Sequence, residues 1–347
     1  MPIESRAFLR IRLEDAVALA FFLVYVILAL FFSELRHQPT DSINILIIIP
    51  AVCLLLAKEI THNFLSGKTS GMESGENLGA FIRPYWEIIR DWLPFFILLL
   101  MYFTLWGNAT HIMITHDRDP ELIAWDQRLF GFQASVALQR IVSPPLTAWM
   151  EAAYFFHLLN IPIVACFIYI FRPRERFREM MCGVLTISAF GLMGYLLVPG
   201  IGPMYALRDQ FTVPLTQAIG VLNQQVQFID YARVQRDVFP SLHVGISFVV
   251  WLYAWRNSRR LFWILSPFIL SLWFSTVYLR YHYLVDVVAG FILAPLSFWL
   301  ANWMFKRFGI ITVPVSLPKP WAERIHRIQA RPKLEPEKAA RDAEDRP

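Results

Sequence analysis

Long apolar stretches alternate with short polar ones over most of this chain. A membrane-spanning helix needs about 17–25 mostly apolar residues, and eight stretches come close to that length. They lie at about 14–35, 43–58, 92–108, 147–171, 180–198, 243–256, 261–279 and 283–305. The second and sixth are short, so flanking residues would have to extend them. The pattern predicts an all-α integral membrane protein, a bundle of about eight transmembrane helices.

The composition agrees with this prediction. The 347 residues are 56% hydrophobic and only 17% charged, whereas soluble domains have about 25% charged residues. The three cysteines, Cys53, Cys166 and Cys182, lie in or beside apolar runs without a CxxC motif, which indicates packing residues rather than disulfides or metal ligands. We expect the first apolar stretch to be a retained helix, because Ser33–Arg36 after it does not resemble a signal-peptide cleavage site.

The positive charges predict an orientation. A net charge of +5 could suggest a nucleic-acid partner, but the basic residues lie between apolar runs, as topology determinants do. With eight spans, both termini lie on one side of the membrane. The connections on that side carry 24 of the 32 Lys and Arg residues. Both termini are therefore expected in the cytoplasm, and the compact arrangement suits a bacterial inner membrane.

Three regions follow from the spans. Residues 1–91 hold two predicted helices and a polar cytoplasmic linker, residues 92–305 hold six predicted helices, and residues 306–347 form a basic cytoplasmic tail. The tail is rich in Pro, Glu, Lys, Arg and Ala, so we expect its end to be disordered. Helical spacing over 134–142 predicts a helix that lies on the outer surface or dips into the membrane.

Two short segments, Phe239–His243 and Arg280–Asp286, carry the candidate chemistry. In the predicted orientation each opens a helix from the outer side, so His243, His282 and Asp286 should meet at one membrane face. Ionisable groups at membrane depth are costly unless they are paired, which makes them functional candidates.

The spacing within these segments suits phosphoryl transfer. Asp286 follows His282 by four residues, so the two share a helix face. The carboxylate can then accept a hydrogen bond from one ring nitrogen and direct the other outward as a nucleophile or base. Pro240 and Ser241 suit a helix start before His243, and the free N–H groups of a helix start favour an anion.

These segments resemble signatures of the type-2 phosphatidic acid phosphatase superfamily. Phe239–His243 is similar to its second signature and Ser275–Gly290 to its third. The branch that contains inositol phosphorylceramide synthase is more similar still, since Leu242 stands where the general superfamily has Gly. Residues 126–131 and 151–157 also resemble that branch, so the resemblance covers about 95–305 and implies a six-helix phosphatase-like core over residues 92–305.

The resemblance implies a phosphohistidine mechanism. His282 would attack phosphorus, Asp286 would orient it, and His243 would protonate the leaving oxygen. The substrate would be a lipid phosphate or a phospholipid headgroup. The acceptor would be water in a phosphatase or a lipid hydroxyl in a transferase. No cofactor is expected, and the sequence has no Asp/Glu cluster that indicates a metal site.

The sequence indicates less clearly which residues would bind the phosphate. The superfamily's first signature, Lys-x6-Arg-Pro, is absent, because Glu76 and Ala165 stand where a Lys would precede the two Arg-Pro pairs. The loop Pro199–Met204 lies in that region, as a Pro-rich loop does in the synthase branch. The third signature usually opens Ser-Arg but reads Ser275-Thr276 here. The candidate substrate contacts are Arg280, Ser241, Arg236, Arg208 and Tyr283, with Arg233 as an alternative.

Several of these residues also have structural interpretations. Arg280 could be an interfacial anchor, and Ser241 could be a helix cap. His157 fits a packing histidine better than a substrate contact, and Asp126 fits a structural role. Two other functions are open for the whole chain: a transporter or channel, and a membrane scaffold that uses the tail. The grouping of polar residues at one face argues against a transport pathway.

Overall fold

A computed structural model describes residues 6–31, 87–97, 110, 114–215 and 236–316. The predicted span at 43–58, most of the span at 92–108, most of the linker and the tail beyond 316 lie outside the described residues. The chain divides into two compact units. Residues 6–12, 87–93 and 310–316 belong to the smaller unit, while residues 13–31 and those from 94 to 309 belong to the larger one.

Seven main helices build the described part of the larger unit. They are α1 (Leu13–Phe31), α2 (Asp119–Phe130), α3 (Pro144–Phe171), α4 (Arg174–Leu197), α5 (Leu242–Asn257), α6 (Arg259–Tyr278) and α7 (Leu284–Phe308). Helix α5 packs against α3, α4, α6 and α7 and is therefore central. Shorter helices lie at Ala134–Ala137 and Pro203–Ala206, and 3₁₀ turns at Leu138–Ile141 and Arg208–Gln210.

Four of the described helices, α3, α4, α6 and α7, are long and apolar enough to cross a membrane. The protein is therefore an integral membrane protein. Helices α3 to α7 correspond to the last five predicted spans, and α1 overlaps the first. The total of eight spans stays a prediction. Helix α4 begins at Arg174 rather than at 180, because the charged residues of its first turns find partners within the protein.

Those partners lie at the bundle end that carries the start of α4 and the end of α5. Arg178 donates to both carboxylate oxygens of Glu14, at 2.6 and 3.1 Å. Arg256 lies 3.4 Å from Glu179 and donates to Asn302 at 2.7 Å. Because these arginines pair with buried glutamates, α4 can begin before the apolar stretch that the sequence pattern detects.

Two strands in the smaller unit were not predicted. Strand β1 (Arg6–Arg12) pairs antiparallel with β2 (Ile310–Ser316), with Arg6 opposite Ser316. The all-α prediction missed this pair because its strands come from opposite ends of the chain. Arg12 also forms an ion pair with Asp91 in the same unit.

Helix α2 was also missed. The sequence pattern predicted a helix over 134–142, where the structure has only one helical turn and a 3₁₀ turn. The long helix of this region lies earlier, at Asp119–Phe130. Pro120 suits its first turn, and Gly131 ends it in the left-handed conformation at φ 81°.

Candidate active site

The structure brings together the two histidines singled out from the sequence. His243 is the second residue of α5, and His282 lies in the connection between α6 and α7. The Nδ1 atom of His243 lies 3.2 Å from the Nε2 atom of His282. His282 is only 2% exposed and His243 is half-buried, so the contact lies at the edge of the buried interior.

Asp286 lies behind His282. Its Oδ2 atom is 3.5 Å from Nδ1 of His282 and accepts the backbone N–H of Tyr283 at 2.8 Å. Asp286 is the third residue of α7, where free backbone N–H groups favour a carboxylate. A carboxylate facing Nδ1 favours the tautomer with its proton there. Nε2 of His282 then carries the lone pair, which accepts from Nδ1 of His243 in the contact between the two rings.

Aromatic rings fix the orientation of His243. The ring of Tyr154, on α3, stacks on that of His243 at 4.7 Å between centroids and on that of Tyr281 at 4.6 Å. Tyr154 belongs to a buried cluster with Tyr278 and Tyr281. His243 therefore sits against a packed aromatic wall, and its ring has little freedom to turn away from His282.

His157 is a third imidazole at this place. Its ring centroid lies 4.4 Å from that of His243. Its Nδ1 atom is buried without a hydrogen-bond partner, whereas a packing histidine is normally satisfied. The packing interpretation of His157 stays a prediction, and the structure adds that its ring lies beside His243. The only signal was its spacing of three residues from Tyr154, which places both near one side of α3.

Arg280 and Ser241 lie on the segments that carry the histidines. Arg280 adopts a left-handed backbone conformation with φ 68°. Its guanidinium donates to the carbonyl of Val213 and lies 4.0 Å from the ring centre of Phe211, and burial lowers its pKa. Ser241 caps α5 by accepting the N–H of Val244, as its alternative interpretation proposed. The backbone N–H of Ser241 donates to the carbonyl of Asp286 at 3.1 Å, tying the two helix starts together.

The other predicted substrate contacts interact with the protein itself. Arg236 is buried and donates to Asp117 and to two backbone carbonyls, those of Thr110 and Ile114. The Tyr283 hydroxyl donates to Asp119 at 2.7 Å. Burial, together with Asp119, raises the pKa of Tyr283, so the hydroxyl stays protonated.

Arg208 is in a different situation, because its side chain is 78% exposed and lies 3.6 Å from Asp209. Arg233 is outside the described residues. The roles of all these residues as phosphate contacts stay predictions. Within the described ranges, no three His, Cys, Asp or Glu side chains are grouped so that they could hold a metal ion.

The loop at the end of α4 packs against the segment that carries His282. Gly202 adopts φ 92°, and a Cβ atom there would lie 2.7 Å from the carbonyl oxygen of Tyr281, so a glycine is required. Met204 donates its backbone N–H to the carbonyl of Arg280 at 2.8 Å. The Pro-rich loop, which the sequence pattern located only approximately, thus borders the site.

A membrane helix bundle with two facing histidines and a carboxylate at one end defines the class of protein. A family model of the PAP2 superfamily matches residues 120–300. This range is more than half of the chain and contains His243, His282 and Asp286. The chain therefore belongs to the PAP2 superfamily, the family that the two segments indicated.

Two relatives confirm the predicted branch. The chain is 25% identical over 186 residues to the phosphoinositol dihydroceramide synthase of Bacteroides thetaiotaomicron, covering 48% of this chain and 59% of the relative. It is 24% identical over 238 residues to the inositol phosphorylceramide synthase of Candida albicans, covering 61% of this chain and 48% of the relative. The chain thus spans about half to three fifths of the length of these relatives. No solved structure matches significantly.

Proposed function

We propose that this protein transfers a phosphorylated headgroup between lipids through a phosphohistidine on His282. The observation that carries the proposal is the 3.2 Å contact between Nε2 of His282 and Nδ1 of His243, with Asp286 behind His282. The arrangement supplies a nucleophile, a group that orients it and a proton donor, which is what a two-step transfer requires.

In the first step, Nε2 of His282 attacks the phosphorus of a phospholipid. The bond to the leaving oxygen breaks, and the imidazolium of His243 gives that oxygen its Nδ1 proton and becomes neutral. In the second step, an acceptor hydroxyl attacks the phosphohistidine, His243 takes the hydroxyl proton, and the phosphorus–nitrogen bond breaks. Asp286 stabilises the positive charge that develops on the ring of His282 in both steps. These residues supply the nucleophile and the acid, so activity should persist in a metal chelator.

The acceptor is proposed to be a lipid hydroxyl rather than water. Both named relatives are synthases of ceramide-type phospholipids. On α3, the two residues after His157, Leu158 and Leu159, are exposed on the outside of the bundle. A lipid can therefore approach the site along this helix.

The site is proposed to face the outer side of the membrane. The basic residues at the start of α4 and around the end of α5 lie at the helix ends remote from His243. The positive-inside rule assigns that basic end to the cytoplasm. The same rule puts both termini there, with a bacterial inner membrane as the proposed location.

A headgroup-transfer assay tests this function. The full chain, purified in detergent, is mixed with phosphatidylinositol labelled in its headgroup, with and without a ceramide-like or diacylglycerol acceptor. We expect label to appear on the acceptor, and chelator to have no effect. Label released only as water-soluble inositol phosphate would indicate that water is the acceptor, as in a phosphatase. No turnover of any lipid phosphate, combined with solute flux in liposomes, would favour a transporter.

The close crossing of α5 and α7 predicts that activity depends on the distance between these two helices. A Cβ atom on Gly290 would lie 2.7 Å from the carbonyl oxygen of Ser241, so Gly290→Ala must push the start of α5 away from α7. We expect a stability loss of about 1–3 kcal/mol and activity reduced about tenfold or more, measured by thermal unfolding in detergent and by the transfer assay.

Gly245→Ala is the matched control for that variant. A Cβ atom on Gly245 would lie 3.1 Å from side-chain atoms of Ile187, which can shift slightly. It should therefore cost less stability and activity than Gly290→Ala. Equal effects of the two substitutions would show that the α5–α7 spacing is not what sets the activity.

A further inference from the structure

Two buried carboxylates on α2 contact the start of α7, directly after His282. Asp119 is 3% exposed and Asp126 is 1% exposed. They are seven residues apart, so both lie on one side of the helix. Leu122 lies between them and packs in one cluster with Tyr283 and Val285. The buried side of α2 is thus built against the residues that follow the candidate nucleophile.

Asp126 caps the first turn of α7, although it is far from that helix in the sequence. The first N–H groups of a helix lack intrahelical partners and are usually capped by the residue just before it. Tyr283 occupies that position without making a side-chain cap to them. The two oxygens of Asp126 accept the N–H groups of Leu284 and Val285 instead, at 3.0 and 2.8 Å. Burial raises the pKa of Asp126, and these two hydrogen bonds oppose that shift.

Asp119 links the same segment to the loop at the end of α4. Its Oδ1 atom accepts the Tyr283 hydroxyl at 2.7 Å and the N–H of Gly202 at 2.9 Å. Its Oδ2 atom accepts the N–H of Ile201 at 2.8 Å. All four carboxylate oxygens of Asp119 and Asp126 therefore accept hydrogen bonds, either from backbone N–H groups or from the Tyr283 hydroxyl.

We propose that Asp119 and Asp126 are positioning residues that hold Nε2 of His282 opposite His243. The backbone N–H groups of Tyr283, Leu284 and Val285 are all held by carboxylates, the first by Asp286 and the others by Asp126. A shift of this segment would move His282 and Asp286 together. This inference rests on the proposed function, because it concerns the same reaction, but it assigns roles to residues whose carboxylates bind only the protein itself.

The first test is Asp126→Asn, which keeps the shape of the side chain but replaces one acceptor oxygen with an NH₂ group. One of the two backbone N–H groups at the start of α7 then faces the NH₂ group, which is also a donor, and loses its hydrogen bond. We expect kcat to fall about 10- to 100-fold, since small misplacements of reacting groups cost that much, while KM changes by less than about twofold. Glu121→Gln is the control, because Glu121 is on the same helix but pairs with Arg118 at the surface. It should leave both constants unchanged.

A double-mutant cycle separates positioning from general structural damage. If Asp126 acts through the His282–Asp286 pair, then Asp126→Asn should cost much less in an Asp286→Asn background than in the wild type. Effects that multiply, or a wild-type kcat in Asp126→Asn, would overturn the proposal.

A milder variant covers the case in which Asp126→Asn does not fold. Tyr283→Phe removes only the hydroxyl that donates to Asp119, and we expect it to lower kcat in the same way but by less. An unchanged kcat in this variant would overturn the role of Asp119. An inactive wild-type protein would instead refute the proposed function, so the two failures are distinguishable.

Discussion

Replacing His282 with alanine is expected to lower lipid phosphoryl transfer by about 10⁴-fold or more, the scale seen when a covalent nucleophile is removed. Asp286 faces Nδ1 of His282 and favours the proton there, so the lone pair of this ring is on Nε2, which faces His243. Without this ring, no phosphohistidine can form. The measurement is the rate of label transfer from phosphatidylinositol under saturating donor.

His116→Ala is the matched control for this loss. His116 is exposed and lies before α2, in a region that the predicted topology places on the outer side. Its removal should leave the rate unchanged while the protein keeps the same thermal unfolding profile. If His282→Ala retained full activity on a confirmed substrate, the assignment of the nucleophile would fail.

Replacing His243 with glutamine is expected to lower turnover of a lipid donor by about 10²- to 10⁴-fold, the usual contribution of a general acid. The leaving alkoxide would then depart without a proton from Nδ1 of His243. The defect should depend on the leaving group. With p-nitrophenyl phosphate, whose leaving group needs no proton, the first step should persist and release one equivalent of p-nitrophenol per protein.

The burst then separates the two histidine roles. In His243→Gln it should be followed by slow turnover, because the acceptor hydroxyl has lost its base. His282→Ala should give no burst at all. If His243→Gln also gave none, His243 would be required for the attack itself, and its assignment as the acid would be wrong.

The sequence predicted the parts of the site that depend on local spacing. His282 and Asp286 were paired because residues four apart share a helix face; His282 lies just before α7, yet the structure places the two side chains 3.5 Å apart. His243 was expected nearby because the apolar pattern alternates the direction of successive helices. Ser241 was recognised as a possible cap from its position before an apolar run, and it caps α5.

Contacts between distant segments could not be predicted in the same way. Asp126 binds backbone N–H groups 158 residues further along the chain, and any residue other than proline would present such groups. No pattern in the sequence of α7 therefore indicates its partner. The same applies to Arg236, whose guanidinium is held mostly by backbone carbonyls. The closeness of His157 to His243 depends on how closely α3 and α5 approach each other, and spacing along one helix does not reveal that.

The most direct test of the central claim is to trap the covalent intermediate. The protein is mixed with labelled donor in the absence of acceptor, quenched in alkali to preserve phosphohistidine, digested and analysed by mass spectrometry. We expect the transferred group on the peptide that contains His282, and its disappearance when a lipid hydroxyl acceptor is added. Label on another residue, or turnover to product with no label on His282 at any time, would contradict the account.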